Sequence, residues 1–231
     1  MKNIIKILER LNDSYIKRRL LVLSLTIQNI ILSLIMLMYA NMIITNGKVN
    51  GELDYTQVRF FYNMAIVLLF IIICTFAPYL LSNSLNILYE NNIIEHLLSV
   101  RISFGEIVYA VYLRGIITLL ILVVSAFPII SISFYFGGFS LPKIIRLFIL
   151  IIIFAIFISS ICIFISTKVL DKNIAIIIAY AISFIFTVLN LLFLNIALNS
   201  VSYTFVYSLF LIIVSLMLLS IARNSTIFNT W

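Results

Sequence analysis

Long uncharged stretches constrain this chain more than any other feature. Residues 20–44 contain no Asp, Glu, Lys or Arg, and comparable apolar runs recur along the sequence. A helix needs about 20 apolar residues to cross the ~30 Å hydrocarbon core of a bilayer. Six runs meet that length: Leu20–Ile44, Phe60–Leu81, Gly115–Phe136, Ile144–Ser166, Ile174–Leu194 and Tyr203–Ala222. They are continuously apolar, not alternating, so they read as helices and not as strands of a barrel.

Composition closes off a water-soluble alternative. The chain is 64% hydrophobic and 10% charged, against about 25% charged in an ordinary soluble domain. Too few polar residues exist to cover a water-facing surface. The expected fold class is an all-α integral membrane protein, one domain over 1–231, and lipid is its main surroundings.

The net charge of +7 does not point to nucleic acid. Basic residues crowd the edges of apolar runs, as Lys2, Lys6, Arg10, Lys17, Arg18 and Arg19 do before the first. That placement suits anionic headgroups and topology control. Six crossings put both termini on one side. That side holds eleven of the fifteen Lys and Arg, and the other holds Lys48, Arg59, Lys143 and Arg146. The excess predicts cytoplasmic termini and a cytoplasmic 82–114 segment. The first run is longer than the ~7–15 residues of a signal h-region and lacks a cleavage site, so it is expected to stay as an anchor.

Residues 1–19 carry a helical period. Ile4, Ile7, Leu8, Leu11 and Tyr15 share one face, with Lys6, Glu9, Arg10, Asp13 and Lys17 on another. This predicts an N-terminal interfacial helix. Residues 45–59, with Gly47 and Gly51, read as a turn, as do 137–143 and the uncharged 195–202.

Chemistry is sparse inside the runs. No Asp, Glu or His lies mid-span, and Arg114 and Arg146 fall near expected helix ends, where they can snorkel. No HExxH, GxSxG or GxxxxGK[ST] occurs, so no catalytic residue and no metal ligand is assigned. Cys74 and Cys162 lie deep in apolar runs and read as small buried hydrophobes. Polar groups at depth are amides and hydroxyls, Gln28, Asn29, Asn41, Asn63, Ser125, Ser159, Ser160 and Asn190 among them. Their default role is hydrogen bonding between helices. Asn63, Ser183, Thr187 and Asn190 are also the candidates for lining a pathway. Pro78 and Pro128 are expected to kink their helices.

One segment departs from this pattern. Residues 89–107 hold Glu90, Glu95 and Glu106, three of the eight acids, and His96, the only histidine. On a helix over 84–100, Leu88, Tyr89, Ile93, Ile94, Leu97 and Leu98 share an apolar side, and Glu90, Asn91, Asn92, Glu95, His96 and Ser99 the other. Adjacent Glu95 and His96 diverge by about 100° and do not converge on a substrate. A short amphipathic helix that offers acids to a partner fits better. The stretch from Arg101 to Glu106 reads as a turn broken at Gly105.

Within this segment, Tyr89-Glu90, Ile94-Glu95-His96-Leu97-Leu98-Ser99, Ile102-Ser103 and Gly105-Glu106-Ile107-Val108 resemble the permease subunit of ABC-2 type ABC transporters. The resemblance covers the six-span order loosely and 85–112 more closely. Arg101 stands where that family often has proline, and Val111 or Tyr112 where a lysine commonly follows. The resemblance implies a coupling helix between the second and third spans, with Glu90, Asn91, Ile94, Glu95, His96, Leu97, Leu98 and Arg101 meeting an ATPase. It implies two cytoplasmic ABC ATPase subunits that hold ATP and Mg, and a second permease, identical or different. The cargo implied is hydrophobic or amphipathic: a peptide, a drug or a lipid. A bacterial cell membrane is the expected location. Two other classes stay open, a scaffold or sensor subunit that transports nothing and an intramembrane enzyme.

Overall fold

The computed structural model describes residues 15–50, 55–90, 94, 98–99, 103–132, 140–169 and 171–224. They form six long helices: α1 (Tyr15–Asn50), α2 (Tyr55–Glu90), α3 (Phe104–Ser131), α4 (Leu141–Lys168), α5 (Lys172–Asn199) and α6 (Val201–Arg223). Each contains a segment long and apolar enough to cross a membrane. The protein is therefore a multi-pass, all-α membrane protein by helix length and hydropathy. The first fourteen residues, where most of the interfacial helix was expected, lie outside the described residues. Tyr15–Arg19 belong to α1, continuous with the first span.

Helix starts follow local chemistry. Ser103 caps α3, and its hydroxyl accepts from the Glu106 backbone N–H while the Glu106 carboxylate accepts from the Ser103 N–H at 3.1 Å. This reciprocal pair satisfies two donors that a helix start leaves open. At α4, Pro142 stands in the first turn, where its missing N–H is harmless. Asp171 caps α5 by accepting from the Asn173 and Ile174 N–H groups at 2.9 and 3.2 Å.

The helices outrun the apolar runs. α1 continues through Gly47 to Asn50, so much of the expected 45–59 turn is helical. α2 passes Leu81 without a break and ends at Glu90. Residues 84–90 are thus the end of α2, not the start of a separate coupling helix. Ser82, Asn83 and Ser84 end the apolar run but carry neither glycine nor proline to stop the helix, and Leu81, Leu85 and Leu88 are buried against the bundle. α3 starts at Phe104 and not at Gly115. Ser200 alone separates α5 from α6, where a longer loop over 195–202 was expected.

α4 forms the axis, with 78% of an 18-residue apolar stretch buried, and α2, α3, α5 and α6 pack around it. α1 rests on α3 and α2 at the outside. Two glycines allow close approach. A Cβ on Gly115 would stand 2.1 Å from Leu81 Cδ2, so α2 and α3 touch there through a bare backbone. A Cβ on Gly105 would stand 2.8 Å from Arg223 Cγ. Gly105 therefore sits inside the first turn of α3 under the Arg223 side chain, and is not the break read from the sequence.

Candidate functional site

Two regions gather the polar groups. The first is a seam among α2, α4 and α5. On α5, Ala175, Ala179, Ser183, Thr187 and Asn190 are buried at intervals of a helical turn. That stripe of small and polar side chains lets α5 lie close to its neighbours. The Ser183 hydroxyl lies 3.9 Å from the Cys162 thiol of α4. Thr187 donates to the Ser183 carbonyl at 2.7 Å and lies within hydrogen-bonding reach of Cys74 on α2. Asn190 Nδ2 donates to the Phe186 carbonyl at 2.9 Å, and Asn190 Oδ1 accepts from the Tyr207 hydroxyl of α6. The Phe157 and Phe186 rings meet edge to face, centroids 5.0 Å apart, beside this seam.

Proline chemistry feeds the same seam. Pro78 has no N–H for the Cys74 carbonyl, which opens that turn of α2. One residue on, the Thr75 carbonyl accepts from the Tyr180 hydroxyl of α5 at 3.1 Å. A side chain from a neighbouring helix thus braces α2 where its own ladder is weakest.

Of the four pathway candidates, three lie on one helix face. Ser183, Thr187 and Asn190 are 0%, 4% and 5% exposed, and their polar atoms are engaged within the bundle. Asn63 is separate from them, exposed near the start of the α2 span. The spacing Ala-Ala-Ser-Thr-Asn on α5 was a readable sign that the three share a packing stripe.

The second region is the connection between α2 and α3. Glu90 is the last residue of α2. Ile94 is helical and 4% exposed, and Leu98 is helical and 40% exposed. Asn91, Glu95, His96, Leu97 and Arg101 lie outside the described residues. The connection returns through the Ser103–Glu106 cap, and Arg223 from the end of α6 lies across Gly105 beside it.

Arg114 was expected near a helix end. It lies instead ten residues beyond Phe104 in α3 and is half-buried, about 15 Å along the axis. Helical side chains slant toward the N-terminus, so its stem leads back toward the α2–α3 connection, a direction suited to snorkelling.

On α1, a short polar contact binds the outer helix. Gln28 is 3% exposed and donates through Nε2 to the Leu122 carbonyl of α3 at 2.8 Å. This amide was read from the sequence as an interhelical bond, and it is one. The chain matches no protein-family model, no curated protein and no solved structure.

Proposed function

We propose that this chain is the membrane-spanning subunit of an ATP-driven exporter, with ATP hydrolysed by separate cytoplasmic subunits. The observation that carries the reading is the α2–α3 connection. Together with the helix ends that flank it, it concentrates three of the eight acids and the only histidine of a chain otherwise poor in charge. It leaves α2 at Glu90 and enters α3 through the Ser103–Glu106 cap, the part of the chain that resembles ABC-2 type permeases.

Mechanics support the same reading. α2 is one helix from its membrane span to Glu90, with Leu81, Leu85 and Leu88 buried. A push near Glu90 therefore passes into the α2 packing against α3 and α4. In this proposal a partner ATPase grips Glu90, Asn91, Ile94, Glu95, His96, Leu97, Leu98 and Arg101. Nucleotide binding biases a two-state movement of the helices. A second permease completes the pathway, and the cargo is hydrophobic or amphipathic. Both termini and the connection face the cytoplasm.

The test starts with the tagged chain purified from its native membranes in mild detergent. An ATPase bearing GxxxxGK[ST] is expected to accompany it. Glu90→Lys and Glu95→Lys are then expected to lower transport at least tenfold while the six-helix bundle stays folded. Full transport and normal ATPase attachment in both variants would overturn the assignment of this segment. Purification without any ATPase would favour a scaffold or sensor subunit.

A further inference from the structure

α4 is covered by its neighbours nearly all round, save for one strip over its first half. Ile145 and Ile149 are 45% and 48% exposed, and Ile152, Ile153 and Ile156 are half-buried. Every residue from Phe157 to Ile163 is buried. The strip therefore runs from the start of α4 and closes at mid-helix. Phe148 flanks it and meets Phe127 of α3 edge to face, centroids 4.5 Å apart. An open strip on the axis helix, with packed flanks, is a furrow floored by isoleucine.

Two cations stand at its head. Lys143 and Arg146 are three residues apart, so they are neighbours on the helix surface. Arg146 lies about 4.5 Å further along the axis, and its stem slants back toward the helix start, toward the level of the Lys143 ammonium. Both are half-buried, and among the described residues neither side chain has a hydrogen bond or an ion pair. The first turn of α4 holds no acid, and the helix start adds a partial positive charge of its own. Ile149 and Ile153 follow Arg146 by three and seven residues, on the same face. From Arg146 to Ile156 is ten residues, about 15 Å. That is half of the ~30 Å hydrocarbon core, the depth of one leaflet.

We propose that Lys143, Arg146 and the isoleucine furrow bind one anionic phospholipid from the leaflet in which α4 begins. Its phosphate sits between guanidinium and ammonium, and an acyl chain lies along Ile149, Ile153 and Ile156. Arginine suits a phosphate through its forked donors, and lysine through its point charge. A zwitterionic lipid brings its own ammonium to compete with them, so net negative charge is selected. The site lies at the end of the bundle opposite the α2–α3 connection, and it stands independently of the transport reading.

The test compares thermal melting of the full chain in nonionic detergent micelles doped with phosphatidylglycerol or with phosphatidylcholine of the same acyl chains. Phosphatidylglycerol is expected to raise the melting temperature by about 2–4 °C more. Lys143→Gln with Arg146→Gln is expected to abolish that difference, and each single change to shrink it. Lys168→Gln with Lys172→Gln removes the same charge at the other end of the bundle and is expected to keep it. Equal losses in the two double variants would mean general charge attraction and would overturn the site. An equal rise with glycerol phosphate, a headgroup without chains, would also overturn it. Ile149→Trp fills the furrow and leaves the charges, and an unchanged difference there would overturn the furrow. Glu52 and Asp54, the acids of the α1–α2 connection, lie outside the described residues. No lipid difference in the wild type would mean that such acids already hold the pair, and would overturn the proposal. Where the double variant fails to fold, native mass spectrometry of the wild type reads the same selectivity. One retained phosphatidylglycerol is expected, and equal retention of phosphatidylcholine would overturn the site.

Discussion

α4 and α6 are both strongly apolar helices, yet one is the axis of the bundle and the other its rim. An 18-residue stretch of the α4 span has mean hydropathy 3.2 and is 78% buried, whereas the matching stretch of α6 has mean hydropathy 2.6 and is 17% buried. In water such a difference would be put down to the hydrophobic effect. In lipid it cannot be, because acyl chains are as apolar as leucine. What separates the helices is the shape of their inward faces. α4 offers small groups in succession, Ala155, Ser159, Ser160, Cys162, Ser166 and Thr167, and is buried nearly all round. α6 is buried only at Thr204, Leu211, Ser215 and Ala222, a single stripe of steps of seven and four residues. Phe205, Phe210 and Met217 point away from it and are well over half exposed in the isolated chain.

The contrast breaks most visibly at the aromatic rings. Phe154 on α4 is fully buried against Phe70, and Phe210 on α6 is 59% exposed. Truncating a buried Phe to Ala costs about 3–5 kcal/mol in water-soluble cores. Here lipid replaces water as the medium of the separated helices, so the transfer part shrinks and the cavity part remains. Phe154→Ala is expected in the lower part of that range, and Phe210→Ala within about 0.5 kcal/mol of wild type, as for surface positions elsewhere. Reversible unfolding in mixed micelles measures both. Equal losses would mean that α6 is covered by more than lipid.

This division between axis and rim was only partly legible. The six runs are plain in the sequence, because charge placement is a local property, but the helix starts were not: Leu141–Lys143, expected within a turn, open α4, and Asp171 caps α5 ahead of the expected Ile174. Helix ends were no plainer. Ser82-Asn83-Ser84 ended an apolar run but not a helix, and Gly47 did not break α1. Polarity marks where lipid stops, and a backbone continues until a residue or a contact stops it. Hydropathy singles out α4 but does not rank the other helices, since the α2 and α6 stretches share mean hydropathy 2.6 and are 50% and 17% buried. The useful signal was the spacing of small side chains, Ala175, Ala179, Ser183 and Thr187 on α5 above all. Ser183 and Thr187, with Asn190 one turn on, are also pathway candidates, because they are polar at depth. Their partners lie on other helices, Cys162 of α4 for Ser183 and Tyr207 of α6 for Asn190, and the α5 sequence alone does not show them.

Ser215 sharpens the comparison at the next level of effect. It is 2% exposed within the α6 stripe, and its hydroxyl bonds back to the Ile212 carbonyl at 2.7 Å. Its small size, not an interhelical bond, keeps α6 close to the bundle. Ser215→Leu is expected to destabilise by about 1–3 kcal/mol through overpacking. Ser208→Leu on the same helix, whose hydroxyl also bonds within α6, is expected to cost clearly less because that side chain is only partly buried. Similar losses for both would mean that residue type, not position on the stripe, decides.

The smallest effect belongs to the polar tie between α5 and α6. Tyr207 donates its hydroxyl to Asn190 Oδ1, and Asn190 is otherwise bonded to its own helix. Tyr207→Phe removes one interhelical hydrogen bond and leaves the ring packing in place. Such bonds in membranes average about 0.6 kcal/mol, because separated helices find other partners. A loss of that order, by the same unfolding measurement, would show that α6 is held mainly by its narrow stripe. A loss above ~2 kcal/mol would instead make the Asn190–Tyr207 pair the principal attachment of the rim. The contrast between a packed axis and a loosely held rim would then rest on one side-chain bond, and not on the shape of the two helices.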